Sequence, residues 1–311
     1  MPPTSLLGLA HHLPPAHPVG GVQRPIATDP VGPSDLALEP GREALGQAGV
    51  GAAAVEFLVF ATATPDVTFP GSACYFQDKF GLGTIGALDV RGQCAGFLTG
   101  LMIADSYLRA GLYRNVLLAA GEVHSSGLDY SERGEAVARL YGDGAAVALL
   151  GAGSGSGLES VVCHTDGRHY DRFWVEYPSS RQHPLRITIE DLRCGKHFPT
   201  LDVEHVERFG VERLPEVVRE ALAAAQTTAD RVDCFILSHV LPSVVERSAA
   251  ALGIPRTRLV AAGETHGHLA AAALPVALSE ARHAGRVGSG ARVCLATCGA
   301  GYAWGAAVMT V

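Results

Sequence analysis

The two halves of this 311-residue sequence carry the same order of apolar strands and helices. In the first half, residues 55–61, 86–90, 116–120 and 145–150 are predicted as strands, and 72–80 and 95–110 as helices. The matching segments of the second half are strands at 232–238, 259–261, 293–296 and 305–309, and helices at 242–252 and 269–283. A period of half the chain is too long for a solenoid. Strands that alternate with helices predict a layered α/β fold with buried sheets.

The two halves do not look autonomous, because each is short of a complete core. We therefore predict one fold of two pseudo-duplicated halves, residues 1–155 and 156–311. The proline-rich segment before Ser34 indicates one short strand followed by a loop, and a helix interrupted by Pro40 follows it. Residues 151–209 are a polar connector between the halves.

Composition excludes several functional classes. Hydrophobic residues make up 48% of the chain and charged residues 18%, which supports a large core and excludes a disordered protein. The net charge is −7 and no run of Lys or Arg is present, so we expect no nucleic-acid partner. Apolar stretches fall short of the roughly 20 residues of a membrane span, and the N-terminus lacks the basic region of a signal peptide.

The seven cysteines are scattered and odd in number, which is typical of free thiols in a reducing, cytoplasmic setting. Cys294 and Cys298 form the one close pair, and no second pair completes a zinc site. We therefore expect a cytoplasmic protein without a metal centre.

Two equivalent loops, 91–94 and 265–268, each join a strand to an apolar helix. If the halves pack about a pseudo-twofold axis, the two helix N-termini approach each other. The thiol of Cys94 would then feel the positive end of a helix, which is expected to lower its pKa and to stabilise a nearby oxyanion. A cysteine in an apolar chain is more often a small buried hydrophobe. For Cys94, position alone leaves both interpretations open.

The segment around Cys94, DVRGQCAGFLTGL at 89–101, resembles the nucleophile segment of the β-ketoacyl-ACP synthase III family in the thiolase superfamily. Further matches follow in the family's order, at 63–66, 69–74, 141–146 (YGDGAA) and 299–305 (GAGYAWG). The resemblance extends from about Ser34 to Val311. It implies a thiolase-like α/β fold in layers α-β-α-β-α, with the nucleophilic Cys in the first half and two His in the second.

In that family a Cys takes the acyl group, while a His and an Asn serve the malonyl thioester. The resemblance places His239 at the family His, although Val240, Leu241 and Pro242 replace the usual Gln-Ala-Asn. His268 occupies the position of the Asn. A neutral imidazole at His239 can donate a hydrogen bond from Nε2 to a thioester carbonyl as negative charge develops there.

The exchange of Asn for His268 leaves two activities open. Related elongating ketosynthases use Cys-His-His, so the favoured activity is decarboxylative Claisen condensation of an acyl group on Cys94 with a malonyl thioester. The alternative is a Cys-His acyltransferase of secondary metabolism that moves the acyl group to an alcohol or amine without decarboxylation. A third hypothesis is a non-catalytic subunit, against which the intact Cys94 and His239 argue. Glu264 and His266 lie near enough in sequence to be further polar partners.

The resemblance also assigns substrate contacts. An oxyanion hole would use the backbone N–H of Cys94 and one from the turn containing Ala300 and Gly301. Phe69 matches the residue that a partner subunit inserts at the acyl pocket, so we expect a homodimer. Arg133 matches an arginine near the coenzyme tail, although an exposed loop arginine is equally compatible with its position.

One part of the family pattern is missing. The longer segment with a Trp and a TGIxxR-like motif is absent between Leu13 and Ser34. Acyl-carrier-protein thioesters are therefore as good candidates for substrates as acyl-CoA thioesters. The resemblance implies no metal or redox cofactor, and the sequence does not identify the acyl chain.

Overall fold

The computed structural model describes residues 3–153 and 157–311. Its strands are, in chain order, β1 (Thr4–His12), β2 (Ala16–Val19), β3 (Val22–Pro25), β4 (Phe57–Ala61), β5 (Gly86–Val90), β6 (Asn115–Glu122), β7 (Gly144–Ala152), β8 (Leu158–Thr165), β9 (Phe173–Trp174), β10 (Thr200–Leu201), β11 (Cys234–Ser238), β12 (Leu259–Ala262), β13 (Arg292–Gly299) and β14 (Ala303–Thr310). Its helices are α1 (Pro33–Leu36), α2 (Leu38–Gln47), α3 (Ser72–Phe80), α4 (Gly96–Arg109), α5 (Glu135–Ala138), α6 (Ile189–Arg193), α7 (Val203–Ala224), α8 (Pro242–Ala251) and α9 (Ala273–His283).

The repeat predicted from the sequence is present in the sheets of the described residues. One sheet has the order β1-β7-β6-β4-β5, and the other has β8-β14-β13-β11-β12. In each sheet the first three strands pair antiparallel and the last three pair parallel. The strands of the first sheet lie within residues 4–152 and those of the second within 158–310. The predicted boundary between residues 155 and 156 lies outside the described residues.

The layers follow from which faces of the sheets are apolar. Helices α4 and α9 lie between the two sheets, in a core that includes Leu98, Leu101 and Leu274. Helices α1, α2 and α3 cover the outer face of the first sheet, while α7 and α8 cover that of the second. The result is the predicted α-β-α-β-α layering. Among the described residues, no helix combines the length and the apolar character required to cross a bilayer.

The structure corrects the prediction for the segment before Ser34. A nine-residue strand, β1, occupies residues 4–12 and pairs with β7, and β2 and β3 form a hairpin after it. Arg24 at the end of that hairpin donates to the carbonyls of Arg139 and Thr265. The hairpin thus joins the two halves.

The predicted connector, residues 151–209, was also too long. Residues 158–165 form β8, the edge strand that is equivalent to β1, and α7 already begins at Val203. The helix predicted over 269–283 begins at Ala273, after a single 3-10 turn over Ala270–Ala272.

Candidate active site

The candidate site lies at the carboxyl ends of parallel strands from both sheets, where such ends meet at one edge and open into loops. Cys94 follows β5 and Glu122 ends β6. From the second half, His239 follows β11 and His268 follows β12. The turn after β13 brings Ala300 to the same place.

Cys94 and His268 are in direct contact. The distance from Cys94 Sγ to His268 Nε2 is 3.0 Å, and both side chains are 3% exposed. The backbone N–H of Ala300 also donates to the Cys94 sulfur. A Cβ on Gly299 would lie 2.2 Å from Sγ, so only glycine leaves room for the sulfur at this turn. The helix ends of the two halves therefore meet, as predicted from the repeat.

The predicted lowering of the Cys94 pKa is wrong. Burial raises the pKa of this thiol to about 12, and the hydrogen bond from the Ala300 N–H offsets this only in part. Cys94 sits in the single 3-10 turn Gln93–Ala95 ahead of α4, and its side chain is buried. The resting thiol is therefore protonated at neutral pH, and it needs a base to become a nucleophile.

His268 has the properties of such a base. Burial, followed by the neighbouring charges of His124 and His239, holds its pKa well below the usual value for histidine. The ring is thus neutral at neutral pH. Its Nδ1 has no hydrogen-bond partner among the described residues, while Nε2 contacts the thiol. A neutral imidazole whose Nε2 accepts can take the thiol proton.

The tautomer of His239 follows from its backbone contacts. His239 Nδ1 lies 3.0 Å from the N–H of Leu241 and 3.3 Å from its carbonyl oxygen. The shorter contact favours Nδ1 as an acceptor, which puts the proton of the neutral ring on Nε2. Burial lowers the pKa of His239 to about 4, and Nε2 has no partner among the described residues. A Cβ on Gly210 of α7 would lie 2.7 Å from Nε2, so glycine keeps the space beside this donor open. His239 is not part of the cavity wall described next.

A cavity of about 680 Å³ opens from Cys94 and His268. Ala300 and Gly301 line it as well. Its wall also includes aromatic side chains, most of them from the connector: Tyr141, Tyr170, Phe173, Trp174 and Tyr177. A volume of this size is in the range of about 300–1,000 Å³ typical of small-molecule sites.

The structure does not bring the predicted substrate contacts Phe69 and Arg133 into this wall. Phe69 is 84% exposed on the surface. Arg133 pairs with Asp129 at 2.7 Å and donates to the carbonyl of Cys194. Glu264 and His266, considered as further polar partners, are engaged elsewhere, with Arg256 and Glu280 respectively.

Glu122 is a site residue that sequence reasoning missed. It is fully buried, and its carboxyl oxygens accept hydrogen bonds from the backbone N–H groups of Ala63, Thr64 and Ala271. It thereby ties the loop after β4 to the turn that follows His268. The sequence did contain a signal for Glu122, because it is a charged residue at the end of a continuous apolar strand. Burying a charge costs free energy unless it has hydrogen-bond partners.

Comparison with known proteins agrees with this geometry. Residues 88–167 match the family described as 3-oxoacyl-[acyl-carrier-protein (ACP)] synthase III, and residues 222–311 match its C-terminal family. A β-ketoacyl-[acyl-carrier-protein] synthase III of Rhodospirillum centenum is 37% identical over 92% of this chain and 86% of its own length. The enzyme of the same name from Rhodospirillum rubrum is 37% identical over 89% of this chain and 83% of its own length.

Solved structures agree as well. A crystal structure of a 3-oxoacyl-(acyl-carrier-protein) synthase III superposes with a TM-score of 0.92 at 27% identity, over the full length of both chains. The β-ketoacyl-[acyl-carrier-protein] synthase III of Thermus thermophilus gives a TM-score of 0.87 at 28% identity, over 99% of each chain. The thiolase-like fold predicted from the sequence is therefore confirmed.

Proposed function

Because this chain belongs to the 3-oxoacyl-[acyl-carrier-protein] synthase III family, we propose that it condenses an acyl group held on Cys94 with a malonyl thioester, with loss of CO2. The observation that carries the proposal is the 3.0 Å contact between the Cys94 sulfur and His268 Nε2. A buried thiol beside a neutral imidazole is the arrangement of a cysteine nucleophile with its base.

In the first step, His268 Nε2 takes the proton of Cys94 as the sulfur attacks the carbonyl carbon of an acyl thioester. A tetrahedral oxyanion forms, and the N–H groups of Cys94 and Ala300 are the proposed donors to it. The old C–S bond then breaks, and His268 returns the proton to the departing thiol. The products are acyl-Cys94 and a free thiol, with charge and protons balanced.

In the second step a malonyl thioester occupies the cavity and loses CO2. The electron pair of the broken C–C bond becomes an enolate, and His239 Nε2–H is the proposed donor to its oxygen. His239 is close enough to His268 to affect its pKa but lies outside the wall of the resting cavity, so the malonyl group has to reach past that wall. Once Cys94 is acylated, the neutral His268 ring has no thiol proton to accept, and in its Nε2–H tautomer it is the proposed second donor to the enolate oxygen. The enolate carbon attacks the acyl carbonyl, and Cys94 leaves as a thiolate that takes a proton from solvent. The product is a β-ketoacyl thioester.

Intact-protein mass spectrometry tests both steps. Incubation with acyl-CoA and acyl-carrier-protein thioesters should give an adduct that Cys94→Ala abolishes. Cys294→Ala is the matched control, because burial raises the pKa of that thiol to about 12 as well. Added malonyl thioester should then discharge the adduct with release of CO2. An adduct that ignores malonyl thioesters and transfers to an alcohol or amine would contradict condensation.

The proposed chemistry also indicates which cofactors, acyl carriers and cellular compartment the protein uses. Each step is a transfer of an acyl group, a proton or CO2, so the proposal includes no metal or redox cofactor. Acyl and malonyl groups would arrive on acyl carrier protein or coenzyme A. Free thiols at all seven cysteines favour a reducing cytoplasm.

We further propose a homodimer formed through β5. This strand is at the edge of its sheet, and residues 86–89 are exposed. Its free backbone groups are a ready template for pairing with a second chain. Phe69 and Leu88 are exposed apolar side chains from the same end of the first half. A partner's copy of Phe69 would then close the neighbouring chain's cavity.

A further inference from the structure

Tyr141 places a hydroxyl group in the cavity wall beside the nucleophile. Its backbone is held against the His268 segment, since the N–H of His268 donates to Leu140 O at 2.7 Å and the N–H of Gly142 donates to His268 O at 3.3 Å. The Tyr141 ring meets the His268 ring edge to face, at 5.9 Å between centroids. The side chain is 5% exposed and lines the cavity, and its hydroxyl has no hydrogen-bond partner among residues 3–153 and 157–311.

His124 adds an acceptor against the Tyr141 ring. Its ring lies against Tyr141 at 4.7 Å between centroids, and it lines the same cavity. His124 Nδ1 is 3.1 Å from the carbonyl oxygen of Gly142, which can only accept, so Nδ1 carries the proton. In the neutral ring, Nε2 is then a free acceptor. The wall beside Cys94 therefore presents one unpaired donor and one unpaired acceptor.

The Tyr141 hydroxyl and the His124 Nε2 make the cavity wall selective for a substrate that can bind both. A substrate that leaves the buried Tyr141 donor and the partly buried His124 acceptor unpaired displaces their water and gives no hydrogen bond in return. A substrate hydroxyl satisfies both, because it can accept from Tyr141 and donate to His124. Sites built to hydrogen-bond a hydroxyl discriminate against the analogue that lacks it.

We propose that Tyr141 and His124 select an acyl group that carries a hydroxyl near its thioester end. The inference rests on the proposed acylation of Cys94. Tyr141 contacts the His268 ring, and that ring contacts the Cys94 sulfur, so the hydroxyl that they bind is on the first few carbons of the chain. An acyl group substituted only at its far end would not reach them.

The test compares 3-hydroxybutyryl and butyryl thioesters, which differ by one hydroxyl, as both coenzyme A and carrier-protein derivatives. Each enantiomer of the hydroxyacyl group is used, and the rate of Cys94 acylation is followed by intact-protein mass spectrometry. Wild-type protein should prefer one hydroxyacyl enantiomer by roughly tenfold to a hundredfold. Tyr141→Phe should remove most of that preference by slowing the hydroxyacyl reaction while butyryl acylation persists.

Two further variants keep the result interpretable. Tyr302→Phe removes another buried, unpartnered hydroxyl, one that does not line the cavity, and should leave the preference intact. His124→Asn keeps a donor for the Gly142 carbonyl but removes the Nε2 acceptor, and it should reduce the preference even if Tyr141→Phe does not fold. Equal wild-type rates, or a preference unchanged in both wall variants, would overturn this inference alone. No adduct from any of the thioesters would instead overturn the proposed function.

Discussion

At Cys94, burial and nucleophilicity are in conflict. The environment that excludes water also raises the pKa of the thiol to about 12, so almost no thiolate exists at neutral pH. The Ala300 N–H reduces this effect without removing it. The remaining activation has to come from His268, the one imidazole within hydrogen-bond distance of the sulfur among the described residues. An Asn at this position could donate a hydrogen bond but could not take the proton.

We therefore expect His268→Asn to slow the alkylation of Cys94 by iodoacetamide about tenfold to a hundredfold at pH 7, the usual range for loss of a general base. In the variant the rate should rise steadily with pH, because only direct ionisation of the thiol remains. Peptide-resolved mass spectrometry measures the rate at Cys94 alone. His266→Asn, in the same loop but paired with Glu280, is the control. Equal rates for the wild type and His268→Asn would refute the role of His268 as base.

Burial of neutral His239 also predicts how stability depends on pH. Its pKa is about 4 in the folded protein and 6.5 in the unfolded chain. Above pH 6.5 neither state binds the proton. Below that pH the unfolded chain binds it first, so stability falls as pH drops from 6.5 to 4. One unit below 6.5, at pH 5.5, the loss from this residue is about 1.4 kcal/mol.

Urea denaturation at pH 7.5 and 5.5 measures this loss. His239→Gln removes the titrating group, so its stability should fall less between the two pH values than that of the wild type. His268, whose pKa burial also lowers, contributes a loss of the same sign. An identical decline in wild type and His239→Gln would show that His239 is not held neutral by the fold.

At the scale of the elements, the site is assembled by equivalent strand ends. The carboxyl ends of β4, β5 and β6 supply the Ala63–Thr64 loop, Cys94 and Glu122, and those of β11, β12 and β13 supply the two histidines and the Ala300 turn. Glu122 joins these sets, because its carboxyl group accepts from Thr64 of the first half and Ala271 of the second. It acts as a positioning residue for the segment that carries His268.

Glu122→Gln should destabilise the protein by about 2–3 kcal/mol, because the new amide N–H2 would face backbone donors that then lose their acceptor. The free energy of unfolding from urea titration is the measurement. The acylation rate of Cys94 should fall as well, since the His268 segment loses its anchor. Glu132→Gln, at an exposed position, is the control and should be neutral. A Glu122→Gln protein of wild-type stability would contradict this anchoring role.

The sequence predicted central strands and helices well because they are continuous apolar runs. It failed for β8, where Glu159, Ser160 and His164 interrupt the apolar pattern of an edge strand that is only partly covered. It also failed for α7, whose charged outer face conceals an apolar stripe that includes Val206, Leu214 and Val218.

For the site, motif positions indicated Cys94, His239 and His268, and the structure brings Cys94 and His268 into contact. The pKa of Cys94 and the anchoring by Glu122 could not be predicted, because both depend on burial and on partners distant in sequence.

At the scale of the whole molecule, the first sheet ends at an exposed edge, β5, while α4 and α9 are enclosed between the sheets. Edge strands with free backbone groups are usually covered or protected. Pairing of β5 with its copy would cover this edge and would carry Phe69 to the neighbouring chain. The cavity of each subunit would then be completed by the other.

Size-exclusion chromatography with light scattering should therefore give a mass of twice 32.4 kDa. Leu88→Lys places a charge on the exposed edge strand and should shift the protein toward monomer, together with a loss of acyl transfer. Val203→Lys, at an exposed position on α7, which covers the second sheet, should remain dimeric. A single wild-type peak at 32.4 kDa would refute the dimer.

The shared position of Cys94 has a consequence for how the chain reaches its active form. Its sulfur is enclosed only when residues 268 and 300 of the second half are in place beside the first. Until the second half has been synthesised and has folded together with the first, the Cys94 thiol is therefore open to oxidants. During that interval a reducing environment would keep the nucleophile intact. Folding of the second half against the first therefore both assembles the site and protects the Cys94 thiol from oxidation.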